Sequence, residues 1–320
     1  MTPLISVLVA GYQVEDDIGP CIESVLAQSL GDFELVVVDD ASTDGTVEMV
    51  RRYVAQDQRI RLLVLPHNGG AAAARNAGLA LCRGRWVALL DADDGFAPER
   101  LAALLARTQA TNADMVADNL QIVSHPDRQP RGVAFGAGEW PQSGVMSLAD
   151  YLRSNDFRAA RYSFGYLKPM VRRALVEAHH LRFREDLALC EDYHFHLDCL
   201  LAGASWQLIP DALYRYAARP HSLSRAVGPE RLDNVLAHSR RQLDAMGQGE
   251  PLRRLILHRH RRLARLQAYL SFRQHLRGRA WVSALRQLLL RPGLLGPGLA
   301  TLCRRGLAHL PRSRQGVAQR

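Results

Sequence analysis

Asp91, Asp93 and Asp94 stand directly after the apolar run at 86–90 and just before Gly95. A buried strand ending in clustered carboxylates is costly. An unpaired charge taken out of water loses roughly several kcal/mol, so such clusters hold a cation or hydrogen-bond a ligand. Asp39 and Asp40 repeat the arrangement at the end of an earlier apolar run. Acids placed this way can grip a divalent ion together with a polar, anionic ligand that the ion neutralises.

The elements that must position these acids follow from hydrophobic patterning. Apolar, β-branched runs at 4–10, 33–39, 60–65, 86–90 and 114–123 predict strands. Between them lie helices: one opened by Asp16 or Asp17 and running to about Ser29, and one capped by Asp44 with Val47, Val50 and Val54 on its apolar face. A short Ala-rich helix follows at 71–81, and another has Pro98 at its first position. Runs that are continuous rather than alternating mean a sheet covered on both faces, which is a parallel α/β layer structure. Ligands in such sheets sit beyond the carboxyl ends of the strands, and Asp39, Asp40 and the acids at 91–94 all fall at that edge. Residues 124–146 read as a long loop or hairpin. Structure resumes at 148–153, 164–171, a helix at 191–202, a strand at 206–216, and a helical, basic region from about Pro229.

Four motifs at strand–loop junctions now line up. They are Val7 to Tyr12, Val37-Val38-Asp39-Asp40 with Asp44-Gly45-Thr46, Asn68-Gly69-Gly70 with Arg75-Asn76, and Asp91-Ala92-Asp93-Asp94. In order and spacing across 4–110, with a second block at 184–224, they resemble family 2 glycosyltransferases of the GT-A fold. The resemblance implies a Rossmann-like, mostly parallel central sheet flanked by helices, here followed by a helical basic C-terminal appendage. It implies inverting, metal-dependent transfer of a hexose from a nucleotide sugar, with Mg or Mn as cofactor. By the same resemblance Asp93 is the metal ligand, and Asp91 touches ribose or reaches the metal through water. Asp39 accepts the uracil N3–H, Arg75 braces the base, and Asp40 orients the turn. Tyr12 stacks on the base or packs against it, with Glu15 in the same loop. Ala10-Gly11-Tyr12-Gln13 departs from the family's usual Pro-x-Tyr-Asn, which leaves Gln13 without an assigned role.

The second block resembles the family's Glu-Asp motif and implies a general base. An acceptor hydroxyl is a poor nucleophile until a carboxylate takes its proton during attack. Asp192 has that role, with Glu191 as its support or the alternative base. Tyr214-Arg215-Tyr216 and the stretch from Arg219 through His221 to Ser224 resemble a loop that closes over the diphosphate, where Arg219 and His221 would supply charge-assisted contacts. Each motif also has an ordinary reading. Asp39-Asp40 could shape a strand-end turn, the acids at 91–94 and Glu191-Asp192 could cap helices, and Arg219 and His221 could be plain loop residues. His194 and His196, two apart on a helix, face different ways and are expected to be structural or exposed rather than a zinc pair.

Charge divides the chain more sharply than hydropathy does. The net charge is +9, yet residues 251–320 hold sixteen arginines and no acid, so residues 1–250 carry net −7. Three parts are expected: 1–123, the nucleotide-sugar-binding half; 124–228, the acceptor-binding and catalytic-base half; and 229–320, a helical, Arg-rich region. In that region Leu252, Leu255, Ile256, Leu263, Leu266, Leu270 and Phe272 alternate with Arg and His at helical spacing. Such a helix either packs back on the domain or lies in the interface of an anionic membrane. The absence of any acid over the last seventy positions favours the membrane. No apolar stretch reaches the ~18 residues of a spanning helix. The N-terminus enters a strand at once, so no signal peptide is expected. Five scattered cysteines without a paired motif fit a reducing compartment.

A cytoplasmic enzyme, peripheral on the inner face of the membrane and acting on a lipid-linked oligosaccharide, is the resulting expectation. The stretch 113–120 and the basic tail resemble the exopolysaccharide (succinoglycan-type) branch, where glucose is a common donor sugar. Two other classes compete. A haloacid-dehalogenase-type phosphatase would use Asp91 as nucleophile, but it would want a later Gly-Asp pair, which is missing, and it leaves Asp39-Asp40 without a role. Lys168, the one lysine in the chain, is the only residue it could use as its cation. A nucleic-acid-binding protein would use the Arg-rich tail, but the acidic strand edge would repel a phosphate backbone, so no nucleic acid is expected. No Gly-x-Gly-x-x-Gly follows the first strand and no Walker A sequence occurs.

Overall fold

The computed structural model describes residues 2–155, 162–219, 228–247, 251–278 and 280–290. Four parallel strands, β1 (Ile5–Gly11), β2 (Phe33–Asp39), β3 (Ile60–Val64) and β4 (Trp86–Asp91), stand in the order β3-β2-β1-β4. Every residue of β2 is buried, as a continuous apolar strand between two helical layers requires. The helices connecting these strands are α1 (Ile18–Leu26), α2 (Thr46–Gln56) and α3 (Gly70–Leu81), with α4 (Arg100–Thr111) after β4. Glycine and alanine let α3 lie close on the sheet. A Cβ at Gly78 would come within 2.2 Å of Leu8 Cδ1, so no other residue fits there unless the helix shifts. That close approach sets where Arg75, one turn earlier, meets the strand edge.

Beyond β4 the same sheet continues through strands of mixed direction. These are β5 (Gly95–Phe96), β6 (Met115–Ser124), β7 (Pro130–Val133), β8 (Met170–Arg172) and β9 (Trp206–Ala218). Their order is β4-β8-β6-β9-β5, with β7 pairing β6. β8 runs antiparallel to both β4 and β6, whereas β6 and β9 form a long parallel ladder with a register shift between Asp118 and Leu120. The loop or hairpin expected at 124–146 is a hairpin in which all of β7 is exposed. The run at 164–171 is a single 3-10 turn (Phe164–Tyr166) and the three-residue β8. So short an apolar run does not reveal its direction in a sheet. One sheet therefore joins residues 1–123 to 124–228.

Helices α5 (Leu148–Ser154), α6 (Arg173–Ala178), α7 (Glu191–Leu201), α8 (Pro229–Ala245), α9 (Pro251–Arg277) and α10 (Trp281–Leu290) complete the described chain. The apolar face of α9 is not offered outward. Leu263 is buried with Leu187, Leu232 and Val235, and Ile256 joins the main core. Of the two readings of the tail, packing back on the domain is what its apolar residues do. Arg254, His258, Arg261 and Arg265, on the opposite side of α9, are exposed. Among the described residues no helix is long and apolar enough to cross a membrane.

A buried ion pair fastens α4 to β6. Arg100 at the start of α4 is fully buried and holds Asp118 of β6 through Nε at 3.0 Å and Nη2 at 2.7 Å. Its guanidinium lies 4.2 Å from the Phe96 ring centre and 5.0 Å from that of Tyr214, and Nη2 donates to the Lys168 carbonyl at 2.6 Å. Breaking such a pair from one side strands the other charge. Arg100→Met should lower unfolding stability by about 3–5 kcal/mol, whereas Arg100→Met with Asp118→Leu should recover most of it, read from chemical denaturation midpoints.

Candidate active site

The carboxyl ends of β1, β2 and β4 form one edge, and each acid there has a distinct set of partners. Asp39 accepts the Ser42 N–H at 2.9 Å through Oδ2, while its Oδ1 is buried with no hydrogen-bond partner. A buried carboxylate oxygen without a donor is costly, so a ligand N–H is its natural complement. Asp40 does a different job. Its two oxygens accept the Gly69 and Gly70 N–H groups, each at 2.8 Å, and so cap α3 from a neighbouring strand. Gly70 sits at φ +85, a backbone conformation that disfavours a side chain. Glu15 accepts the Gly45 N–H at 2.6 Å and so ties the loop after β1 to the start of α2. Tyr12 in that loop is 48% exposed.

Asp91, at the end of β4, is held between two cations. Its Oδ1 meets Arg75 Nη2 at 2.8 Å and its Oδ2 meets Lys168 Nζ at 2.7 Å. The same cations hold the start of α7. Arg75 Nη1 lies 2.9 Å from Glu191 Oε1 and 3.1 Å from Asp192 Oδ1, and Lys168 Nζ lies 2.5 Å from Asp192 Oδ2. Asn76 supports the approach, since its side chain donates to the Phe183 carbonyl and accepts the Phe183 N–H. Arg75, expected beside the nucleobase, has its guanidinium committed to these three acids instead. Cys190 is the N-cap of α7 and makes no side-chain cap bond, while Glu191 and Asp192 lie in the first turn with their carboxylates on Arg75 and Lys168. Burial would raise the Asp192 carboxyl, but Arg75 and Lys168 outweigh it and hold Asp192 well below the usual carboxylate range. The ionised form, which can accept a proton, is the one present at neutral pH.

Asp93 and Asp94 part company. Asp94 is buried and accepts the Tyr214 hydroxyl and the Ala217 N–H, each at 2.7 Å, so it fastens β9 to the end of β4. Asp93 is 34% exposed and meets Arg219 Nε at 3.2 Å. Partial burial first, then Asp91, raise its carboxyl above the ordinary value. Arg219 also pairs with Asp17, which His125 Nε2 reaches at 3.0 Å and Arg128 at 3.6 Å. His221 lies outside the described residues.

Among the described residues no three acidic, His or Cys side chains converge into a ready-made metal cage. Both oxygens of Asp91 and of Asp94 are engaged, whereas Asp93 is part-exposed and paired with Arg219 through Oδ2 alone. That donor set fits an Mg²⁺- or Mn²⁺-type ion arriving with phosphate oxygens, because such ions use one or two carboxylates and fill the remaining positions with substrate and water. His194 and His196 are both fully buried. His196 Nδ1 lies 3.2 Å from the Tyr151 hydroxyl, and His194 stands edge-on to His238 at 4.4 Å between ring centres. Both are structural.

Lys168, Asp17 and Arg128 reach this site without having been singled out for it from sequence. Lys168 alone carried a signal, as the single lysine in a chain otherwise using arginine. Asp17 lies between two of the motifs and Arg128 in the hairpin after β6, and neither carried a signal of its own for this site.

The model of glycosyl transferase family 2 matches residues 6–172. The succinoglycan biosynthesis protein ExoO of Rhizobium meliloti (strain 1021) is 35% identical over 295 residues, covering 91% of this chain and 82% of that protein. Staphylococcus aureus TarS 1–349 in complex with UDP-GlcNAc superposes with a TM-score of 0.62 at 24% identity, over 79% of this chain and 70% of that one. The mannosyltransferase PcManGT from Pyrobaculum calidifontis, in complex with GDP-Man and Mn²⁺, does so with a TM-score of 0.59 at 21% identity, over 98% and 82%. The fold is GT-A.

The histidines of α7 make stability acid-sensitive. Burial pushes His196 down to about 3, with Lys168 and Arg75 adding to the effect and Asp192 opposing it. The unfolded imidazole binds its proton near pH ~6.5, so stability is fully present above that value and is lost as pH falls toward about 3. At pH ~5 the loss from this group should be about 2 kcal/mol, and His196→Gln should flatten the fall in melting temperature between pH ~7 and ~5.

Proposed function

Because the chain belongs to family 2 of the glycosyltransferases, we propose that it moves a hexose from UDP-glucose or a close analogue, with inversion, to a hydroxyl of a lipid-linked saccharide in exopolysaccharide assembly. The buried, unpartnered Asp39 Oδ1 carries the donor assignment. Uracil presents an N3–H to such an oxygen, whereas cytosine presents a lone pair there and is repelled. Tyr12, beside the same loop, is the surface on which the base stacks. Glu15 and Asp40 act on the nucleotide through the turns they hold.

Asp93, with Asp91 reaching through water, would hold Mg²⁺ or Mn²⁺, which supplies positive charge against the diphosphate as it leaves. Arg219, and His221 two residues on, serve the same oxygens, and Arg219 exchanges its bond to Asp17 for the diphosphate when the donor enters. Asp192 takes the proton of the attacking hydroxyl. Glu191 and Arg75 keep its helix against the end of β4.

The enzyme works at the inner face of the cytoplasmic membrane, docked by charge rather than by inserting α9. Arg254, His258, Arg261 and Arg265 share one exposed face of α9, and Trp281 and Val282 at the start of α10 are 56% and 84% exposed. A cationic row ending in exposed aromatic and aliphatic residues suits anionic lipid headgroups, each nearby cation contributing about 1 kcal/mol.

A thermal-shift panel of UDP, GDP, dTDP and CMP, with and without Mn²⁺, should show stabilisation by UDP that Mn²⁺ strengthens, and CMP should have no effect. Asp93→Ala should remove the Mn²⁺ increment, and a retained increment would end the metal assignment. Asp192→Asn should keep UDP affinity while turnover falls by about 10²–10⁴-fold. Reversal of Arg254, Arg261 and Arg265 to Glu should release the protein from phosphatidylglycerol vesicles in co-sedimentation at physiological salt. An unchanged bound fraction would reject the docking face.

A further inference from the structure

Lys168 is the one lysine in the chain, 5% exposed, and no step described so far uses it. It lies between the 3-10 turn and β8, and its carbonyl is gripped by Arg100, itself locked to Asp118. From that rigid anchor its ammonium reaches between Asp91 Oδ2 at 2.7 Å and Asp192 Oδ2 at 2.5 Å. An ammonium is a compact point charge that fits between two carboxylates, whereas a guanidinium is a planar fork. Arg75, the fork in this site, takes the opposite oxygens. The result for Asp192 is asymmetric. Oδ2 is bound by Lys168, while Oδ1 is buried, receives no hydrogen bond, and has Arg75 Nη1 passing at 3.1 Å off the bonding direction.

We propose that Lys168 is a positioning residue for glycosyl transfer. It holds Asp192 by Oδ2 against Asp91, so that Oδ1 is the oxygen presented to the attacking hydroxyl. The inference rests on Asp192 being the base, as proposed above. In the step itself the hydroxyl O–H bond breaks and its proton passes to Asp192 Oδ1. The freed oxygen pair bonds the anomeric carbon, and the bond from that carbon to the diphosphate oxygen breaks, its electron pair leaving with the nucleotide. Without the ammonium, Asp91, Glu191 and Asp192 would share Arg75 alone. Asp192 would then turn onto the guanidinium fork, which covers Oδ1, while Asp91 would lose Lys168 but keep Arg75, and Asp39 and Asp93 do not touch Lys168, so donor binding changes far less than turnover.

The test uses the full chain with Mn²⁺, reading UDP release from UDP-glucose with water as the acceptor, and UDP affinity by calorimetry. Lys168→Met should lower kcat about 100-fold while the UDP Kd stays within about threefold, and Lys168→Arg should return to within about tenfold of the original rate. In an Asp192→Asn background the same Lys168→Met change should cost less than about twofold, because residues acting as one unit are not additive. An unchanged rate in Lys168→Met, or an equal fold-loss in both backgrounds, would overturn the proposal. Should Lys168→Met fail to fold, Lys168→Arg and Lys168→Gln run through the same cycle decide it. A chain that neither binds UDP nor cleaves UDP-glucose would instead overturn the function on which the proposal rests.

Discussion

Two cations, Arg75 and Lys168, hold three carboxylates where the end of β4 meets the start of α7. Like charges at about 4 Å repel by roughly 4 kcal/mol per pair at the effective dielectric of a protein, so Asp91, Glu191 and Asp192 could not share this space alone. With the cations present, the acids become the means by which two distant stretches of chain are joined. On the proposed function, Asp91 belongs to the half that would bind the nucleotide, and Asp192 to the half that would activate the acceptor. If Asp192 is the base, as proposed, the ion network also sets its distance from the donor, on which an in-line displacement would depend.

The rest of the fold keeps that network stiff. Close packing of α3 on β1 at Gly78 fixes the approach of Arg75, and Asn76 pins the segment leading to α7. The buried Arg100–Asp118 pair fixes the backbone from which Lys168 reaches. Asp94 and Tyr214 fasten β9 to the end of β4, so the strand that delivers Arg219 is tied to the same edge. Several acids that a ligand-centred view would send to the substrate are used in this bracing, Asp40, Asp94 and Glu15 among them. A carboxylate buried beside a helix start or a backbone N–H is stabilised locally, which sets these acids apart from Asp39, with one oxygen unpartnered, and from Asp93, part-exposed and paired only with Arg219.

The C-terminal region shows charge and hydropathy doing separate work. Leu263 returns to the protein, against α8 and the segment around Leu187, Phe272 packs with Ala284 of α10, and Arg254, Arg261 and Arg265 stay outside whereas Arg259 is buried over the Tyr193 ring. A helix that lies in a membrane must give its apolar face to lipid. α9 has already buried that face, so any attraction to anionic headgroups is electrostatic and sensitive to salt.

From sequence alone, the parallel strands, the helices between them and the acidic edge were all legible, because continuous apolar runs and strand-end acids are local patterns. Strands at 33–39 and 60–65 are observed as β2 and β3 within a residue of their expected ends. The direction of β8 was not legible, nor was the pairing of β6 with β9, since strand partners are chosen by long-range packing. The same holds within the site. Residue types marked Asp39, Asp91, Asp93 and Asp192 as chemically able, but which of their oxygens is open and which is bound depends on neighbours from elsewhere in the chain. Lys168 lies 77 positions from Asp91 and 24 from Asp192, and only the folded sheet brings its ammonium between them. Local physics writes the inventory of groups into the sequence, whereas their pairing is decided by burial, which exists only once distant segments have packed.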